Sequence, residues 1–169
     1  MDTNAKRKEL LSLAGTQVGT TEFPAGSNNV KYNTWFYGRE VHDGDKPGAH
    51  YPWCCTFICW LFSQVAKPMP KADYLRGWSS VPNLYNYAVK HGMITTDPKP
   101  GDLVIYAWGG EIRHIGMFVE HVNEHTIHTI EGNTAFDNKG DQANGGCCAS
   151  KKQNIKLVKA YINIDQFIK

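Results

Sequence analysis

Three thiols crowd the stretch YPWCCTFICW at residues 51–60: Cys54, Cys55 and Cys59. Further along, RHIGMFVEHV supplies His114, and HTIEGNT supplies Glu131 and Asn133. These residue types are the parts of an acyl-transfer nucleophile. A thiol at a helix N-terminus meets unpaired N–H groups and the positive end of the helix dipole, and both favour thiolate. An imidazole within reach makes a thiolate–imidazolium pair, the activated nucleophile of cysteine hydrolases. A carboxylate or amide on the other ring nitrogen fixes the tautomer and steadies the charged ring.

Positioning these groups requires a helix and a sheet. Residues 53–66 have helical periodicity, with one apolar stripe of Cys54, Phe57, Ile58, Leu61 and Val65. A second stripe holds Cys55, Cys59, Phe62 and Ala66, and Thr56, Ser63, Gln64 and Lys67 form a narrow polar remainder. A helix this apolar is buried over most of its circumference. Pro52 suits its first turn, and Pro68 and Pro70 end it. Cys59 lies one turn in and is expected to be a small core residue. Cys54 and Cys55 both lie in the first turn, roughly 100° apart around the axis. Only one of them can face a histidine, and helix position alone does not say which.

From residue 100 the period changes to two. PKPGDLVIYAW reads as a turn and a strand, RHIGMFVEHV as a second strand, HTIHTIEGN as a third and NIKLVKAYINI as the last. A two-residue turn at Val122-Asn123 puts His114 opposite Glu131. A turn at Asn123-Glu124 puts it opposite Asn133, with Glu131 on the diagonal. Either way the three side chains share a face, because side chains alternate along each strand. Separations of roughly 5 Å opposite or 7–8 Å diagonal suit a polar contact to the imidazole. His42, His50, His91, His121, His125 and His128 have no comparable placement.

The remaining segments read as follows. Residues 3–15 suggest an amphipathic helix with Gly15 as its C-cap, and 80–91 a second short helix stopped by Gly92. Residues 19–51 show no clean period and read as a long loop, which in a compact domain is often functional. Its Tyr32, Trp35 and Phe36, together with Trp53, are expected to line a substrate groove. Residues 134–154 read as a glycine-rich connection. Helices first and an antiparallel meander after them make an α+β fold, organised as one domain over residues 1–169.

Bulk properties exclude several classes. A formal net charge of +2 over 169 residues is too weak to argue for nucleic acid. No apolar run is long enough to span a bilayer. MDTNAKRKELLSLAG has no apolar core of signal-peptide length, so synthesis in the cytoplasm and export by another route are expected. Five cysteines, in clumps at 54–59 and 147–148, do not make a spread disulfide framework, and adjacent cysteines pair badly. Most are expected to be thiols. The C-x3-C of Cys55 and Cys59 lacks a proper second pair for structural zinc.

Several motifs occur in a telling order: PWCCTFICW, KPGDLVIY, RHIGMFVE and HTIEGNT, with KYNTWFYG upstream and ANGG downstream. The chain resembles, over nearly its whole length, a CHAP domain. This is the cysteine- and histidine-dependent amidohydrolase/peptidase domain of phage endolysins and bacterial wall hydrolases. The resemblance implies a papain-like fold and hydrolysis of amide bonds in peptidoglycan, by an endopeptidase or an N-acetylmuramoyl-L-alanine amidase. It implies Cys54 as nucleophile, His114 as base, Glu131 as orienting acid and Asn133 as a supporting polar residue. The oxyanion would be held by the Cys54 backbone N–H with Tyr51 or Tyr37 as a second donor. No cofactor is expected. Some members bind calcium through acids on both sides of the nucleophile; here Asp43 and Asp45 precede it, but Thr56 stands two places after it. The implied partner is Gram-positive peptidoglycan, met as a monomer, without nucleic acid or membrane insertion. The implied setting is the host cytoplasm until a holin releases the enzyme to the wall. A non-catalytic wall-binding module and a papain-like peptidase acting on protein stand as alternatives.

Overall fold

A computed structural model describes residues 2–66, 69–70, 76–137 and 139–169; Lys67 and Pro68 lie outside them. The fold is α+β and papain-like, with N-terminal helices packed on an antiparallel sheet. The helices are α1 (Thr3–Gln17), α2 (Lys31–Tyr37), α3 (Cys54–Val65) and α4 (Val81–Lys90), with a short α5 (Asp165–Ile168) at the end. The strands are β1 (Ile94–Thr95), β2 (Leu103–Trp108), β3 (Glu111–Asn123), β4 (Thr126–Thr134), β5 (Cys147–Asn154) and β6 (Val158–Ile162). They lie in the order β1-β6-β2-β3-β4-β5. Among the described residues no helix is long and apolar enough to cross a membrane.

The apolar circumference of α3 explains its place. Phe57, Ile58, Leu61 and Phe62 are fully buried, in one core with Leu103, Ile105, Ile115 and Met117 of the sheet. The alternate residues Val104, Tyr106 and Phe118 join Ile127 in a second, smaller cluster. The aspartate of the KPGD turn is a structural anchor. Buried Asp102 accepts from Arg7 of α1 at 2.8 Å, from the Lys99 N–H at 2.8 Å and from the Ile164 N–H at 3.1 Å. One carboxylate thus ties the first helix, the turn before β2 and the C-terminal segment together. Removing one partner of a buried pair of this kind costs about 3–5 kcal/mol.

Four expectations need correction. Gly15 lies inside α1, which runs on to Gln17, and the left-handed residue after it is Gly19. The last turn holds because buried Gln17 accepts from Lys31 and Tyr32. Residues 19–51 are not all loop, since KYNTWFY forms α2. Tyr32 and Phe36, one turn apart, face the core, and Gly38 closes the helix in the left-handed region. Residues 147–154 are not connection but strand β5, paired with β4. Burial alternates along its second half through Lys151 and Gln153, so a hydrophobic alternation never appears there. Finally, the β3–β4 hairpin turns at Glu124-His125, between the paired Asn123 and Thr126. Two bulges on β3 leave Val119 and Val122 without partners on β4. Each bulge shifts the register by one, so two restore the parity. At Met117 opposite Ile130 the ladder has the register that a turn at Asn123-Glu124 would have given.

Two glycines permit close approaches around this register. A Cβ at Gly132 would stand 2.8 Å from the Phe57 side chain, and one at Gly116 would stand 2.8 Å from Glu131 Cγ. Gly15, by contrast, has nothing within 4 Å of its Cβ position. Gly132→Ala is expected to destabilise the fold by about 1–3 kcal/mol through overpacking. Gly15→Ala is expected to stabilise it by about 0.5–1 kcal/mol, the usual helix-interior difference. Urea unfolding midpoints of the two variants should therefore move in opposite directions.

Candidate active site

Cys54 is the first residue of α3, where the N–H groups of the first turn have no intrahelical acceptors. It is nearly buried, at 4 % exposure. Cys54 lines a cavity of about 310 Å³ together with Tyr37, His50, Pro52, Ser80, Val81 and Arg113. His114 sits on β3, fully buried. Its Nε2 meets Glu131 Oε2 at 3.0 Å, and its Nδ1 has no partner in hydrogen-bond geometry. Cys54 is the thiol that acts on this ring. Cys55 is fully buried, and Cys59 is a core residue held between Met69 and the Trp78 backbone.

The Glu131 carboxylate is saturated. Besides His114 it accepts from Tyr106 Oη at 2.9 Å and Thr129 Oγ1 at 2.6 Å, both on Oε1. Gln153 Nε2 reaches both oxygens, at 3.2 and 3.3 Å. Tyr106 lies directly opposite His114 on β2 and stacks on it with ring centroids 5.8 Å apart. Trp108 sits beside the same ring at 6.2 Å. Sequence reasoning missed Tyr106, Trp108, Thr129 and Gln153. Tyr106 and Trp108 alternate along LVIYAW and were findable once β2 was set against β3. Gln153 stays hidden in the sequence because its segment, 147–154, buries polar residues and shows no hydrophobic alternation.

The electrostatics follow from these contacts. Burial works against a charged His114, but the Cys54 thiol and the Glu131 carboxylate outweigh it and push the imidazole up from 6.5 to about 10. Burial likewise works against the Glu131 carboxylate, and His114, Thr129 and Tyr106 overcome it, so its pKa is lowered.

Other expected site residues lie elsewhere. Tyr32, Phe36 and Trp53 are fully buried and do not line a groove. Tyr32 packs its ring on Trp53, Phe57 and Trp60, which is why so much aromatic surface is hidden there. Trp35 is half-buried, under the Arg76 guanidinium at 5.6 Å. Asn133 is buried in the left-handed region at the end of β4. Its Nδ2 donates to Asn144 Oδ1 at 3.1 Å rather than supporting His114. Tyr51 donates its hydroxyl to Asp45 Oδ1 at 3.0 Å, so of the two tyrosines expected to serve the oxyanion, Tyr37 is the one at the cavity.

Asp43 and Asp45 do not fit a calcium ion. Asp45 Oδ2 carries the Arg39 guanidinium at 3.0 Å. Asp43 accepts from Asn28 Nδ2 at 3.0 Å and the Tyr51 N–H at 2.8 Å, and it contacts His50. Thr56, where an acid would be needed, is buried and donates to Asn33 Oδ1 at 2.7 Å.

A thiol at a helix N-terminus, an imidazole acting with it and a buried carboxylate behind the imidazole define the cysteine–histidine hydrolase class. The CHAP domain family matches residues 46–133, more than half of the chain, and the chain belongs to that family. The match spans Cys54, His114, Glu131 and Asn133. Comparison with curated proteins returns no match.

The shifts set a pH dependence. His114 is raised above its ordinary 6.5, so its contribution to stability is complete below that value and is lost as pH rises through about 10. Glu131 is lowered from 4.5, so its contribution is complete above 4.5 and is lost as pH falls through the lower folded value. Urea midpoints measured across pH should peak between 4.5 and 6.5 and decline steadily toward 10. Glu131→Gln should flatten the alkaline decline; a wild-type profile level from pH 6 to 10 would contradict the raised imidazole.

Proposed function

We propose that this chain is a peptidoglycan hydrolase of the phage endolysin type, cutting an amide bond by nucleophilic catalysis from Cys54. The observation that carries the reading is the buried His114–Glu131 pair, with Cys54 at the start of α3 acting on the same imidazole. Glu131 occupies Nε2, so Nδ1 is the nitrogen left to exchange a proton with the thiol. Attack requires the thiolate–imidazolium form of the pair. The thiolate attacks the scissile carbonyl carbon, and the Cys54 backbone N–H stabilises the oxyanion, with Tyr37 the candidate second donor. As the tetrahedral intermediate collapses, the C–N bond breaks and Nδ1 gives its proton to the leaving amine. Water then attacks the thioester, its proton passes to Nδ1, and the carboxylic acid departs with Cys54 restored. Asn133 supports the end of β4 that carries Glu131.

The reading takes the 169 residues as one catalytic unit, active as a monomer and without a cofactor. Its substrate is Gram-positive peptidoglycan, cut within the stem peptide or cross-bridge or at the lactyl amide. Its place before release is the host cytoplasm. CHAP membership and the cavity at Cys54 support this over a silent wall-binding module.

The test is turbidity loss of Gram-positive cells. Cys54→Ala should abolish lysis, by at least about a thousandfold given the size of nucleophile deletions, while still sedimenting with cell walls. Cys55→Ser should keep much of the activity. Full lysis by Cys54→Ala would end the assignment, and cleavage of casein but not wall would move the substrate to protein. Mass spectrometry of the digest, read for new N-termini, separates endopeptidase from amidase.

A further inference from the structure

The strand that carries His114 is irregular one residue before it. On the β2–β3 ladder Tyr106 faces His114 and Ala107 faces Ile112, which leaves Arg113 with no partner on β2. A bulge of this kind re-aims the extra side chain, and bulges gather beside active sites. Arg113 lines the cavity that holds Cys54, and it also lines an adjoining cavity of about 440 Å³ with Trp108, Asp141 and Gln142. Arg113 is therefore the residue that the two cavities share, and Cys54 lines one of them.

Its partner within the chain is Glu111, two residues back. Both side chains are open to solvent, 55 % and 71 % exposed. An exposed ion pair of this sort contributes little and exchanges readily. A planar guanidinium is suited to a carboxylate, which it grips with two parallel hydrogen bonds. Peptidoglycan stem peptides offer such groups. Their second residue, a glutamate joined through its side chain, carries a carboxyl that walls leave free or cap as an amide.

We infer that Arg113 is a specificity-determining residue that binds a free stem-peptide carboxylate beside the scissile amide, with the peptide running through both chambers. The inference rests on the peptidoglycan reading. In this position the carboxylate displaces Glu111 from the guanidinium, and the amide-capped peptide lacks the charge to do so.

Two synthetic stem peptides test it, identical except for D-isoglutamate or D-isoglutamine at the second position, with kcat and KM read by chromatography of the products. The wild type should favour the carboxylate peptide by about tenfold or more in kcat/KM, the equivalent of about 1.4 kcal/mol. Arg113→Gln should bring the ratio close to one by raising KM on the carboxylate peptide. Arg113→Lys, which keeps the charge without the fork, should retain part of the preference, and added salt should erode it. Melting curves establish that both variants are folded. A wild type without preference, or an Arg113→Gln variant that loses kcat on both peptides alike, would overturn the inference while the hydrolase reading stands. A wild type that cleaves neither peptide nor whole wall would overturn both.

Discussion

The buried ion pair between His114 and Glu131 is the constraint around which the sheet is built. Two charges without solvent are costly, and their mutual attraction offsets that cost only if the remaining hydrogen-bonding capacity is filled. The fold fills it on the carboxylate side, with Tyr106 from β2, Thr129 from β4 and Gln153 from β5 converging on Glu131. Each of these strands is held in register by the next, so the site depends on the whole ladder from β2 to β5. Gly116 leaves the space that Glu131 Cγ takes, and the paired bulges of β3 bring the two strands into the register that aligns them.

The helix side answers to the same requirement. Cys54 meets His114 only if the start of α3 is fixed, and polar contacts from the N-terminal segment fix it. The Trp53 indole donates to Glu22 at 3.2 Å, and Glu22 also accepts from the Gly26 and Asn28 N–H groups. Asn33 of α2 donates to the carbonyls of Asn28 and Tyr51 and accepts from Thr56. Asp43 and Asp45, with His50 and Arg39, close the loop that leads into the nucleophile. The Arg39 guanidinium on Asp45 and the His50 ring on Asp43 thus occupy the acids that the family resemblance points to as cation ligands. That is a physical reason for Arg39 and His50 to be where they are.

Much of this was legible in the sequence. The apolar circumference of 53–66 and the period-two runs after residue 100 give the helix that carries Cys54 and the two strands that carry His114 and Glu131. Side-chain parity puts His114 and Glu131 together although the hairpin turns one residue later than the sequence suggests, because the two bulges of β3 add to a shift of two and so preserve the parity. What stayed hidden has a common cause. β5 buries Lys151 and Gln153, and a pattern of buried polar groups looks like loop. Lys151 is held by the carbonyls of Ala135 and Asp137, and Gln153 by Glu131, so neither needs to be apolar. The aromatics of α2 failed in the opposite sense. Tyr32 and Phe36 have the chemistry of a wall-binding groove, but a seven-residue helix has little other means of docking than burying them.

The division of labour on β3 follows from its irregularity. In a regular strand the residue before His114 would face away from it, into the opposite layer. The bulge breaks that alternation at one place, so that a buried titrating group and an exposed cation stand side by side on the same strand. The imidazole keeps its charge because Cys54 and Glu131 act on it behind a sheet that excludes water. The guanidinium keeps its freedom because Glu111, out in solvent, holds it weakly. Reaction and recognition can then change separately. A substitution at Arg113 leaves the contacts of Glu131 untouched, whereas any change in the Tyr106, Thr129 or Gln153 shell reaches His114 through the single carboxylate they share.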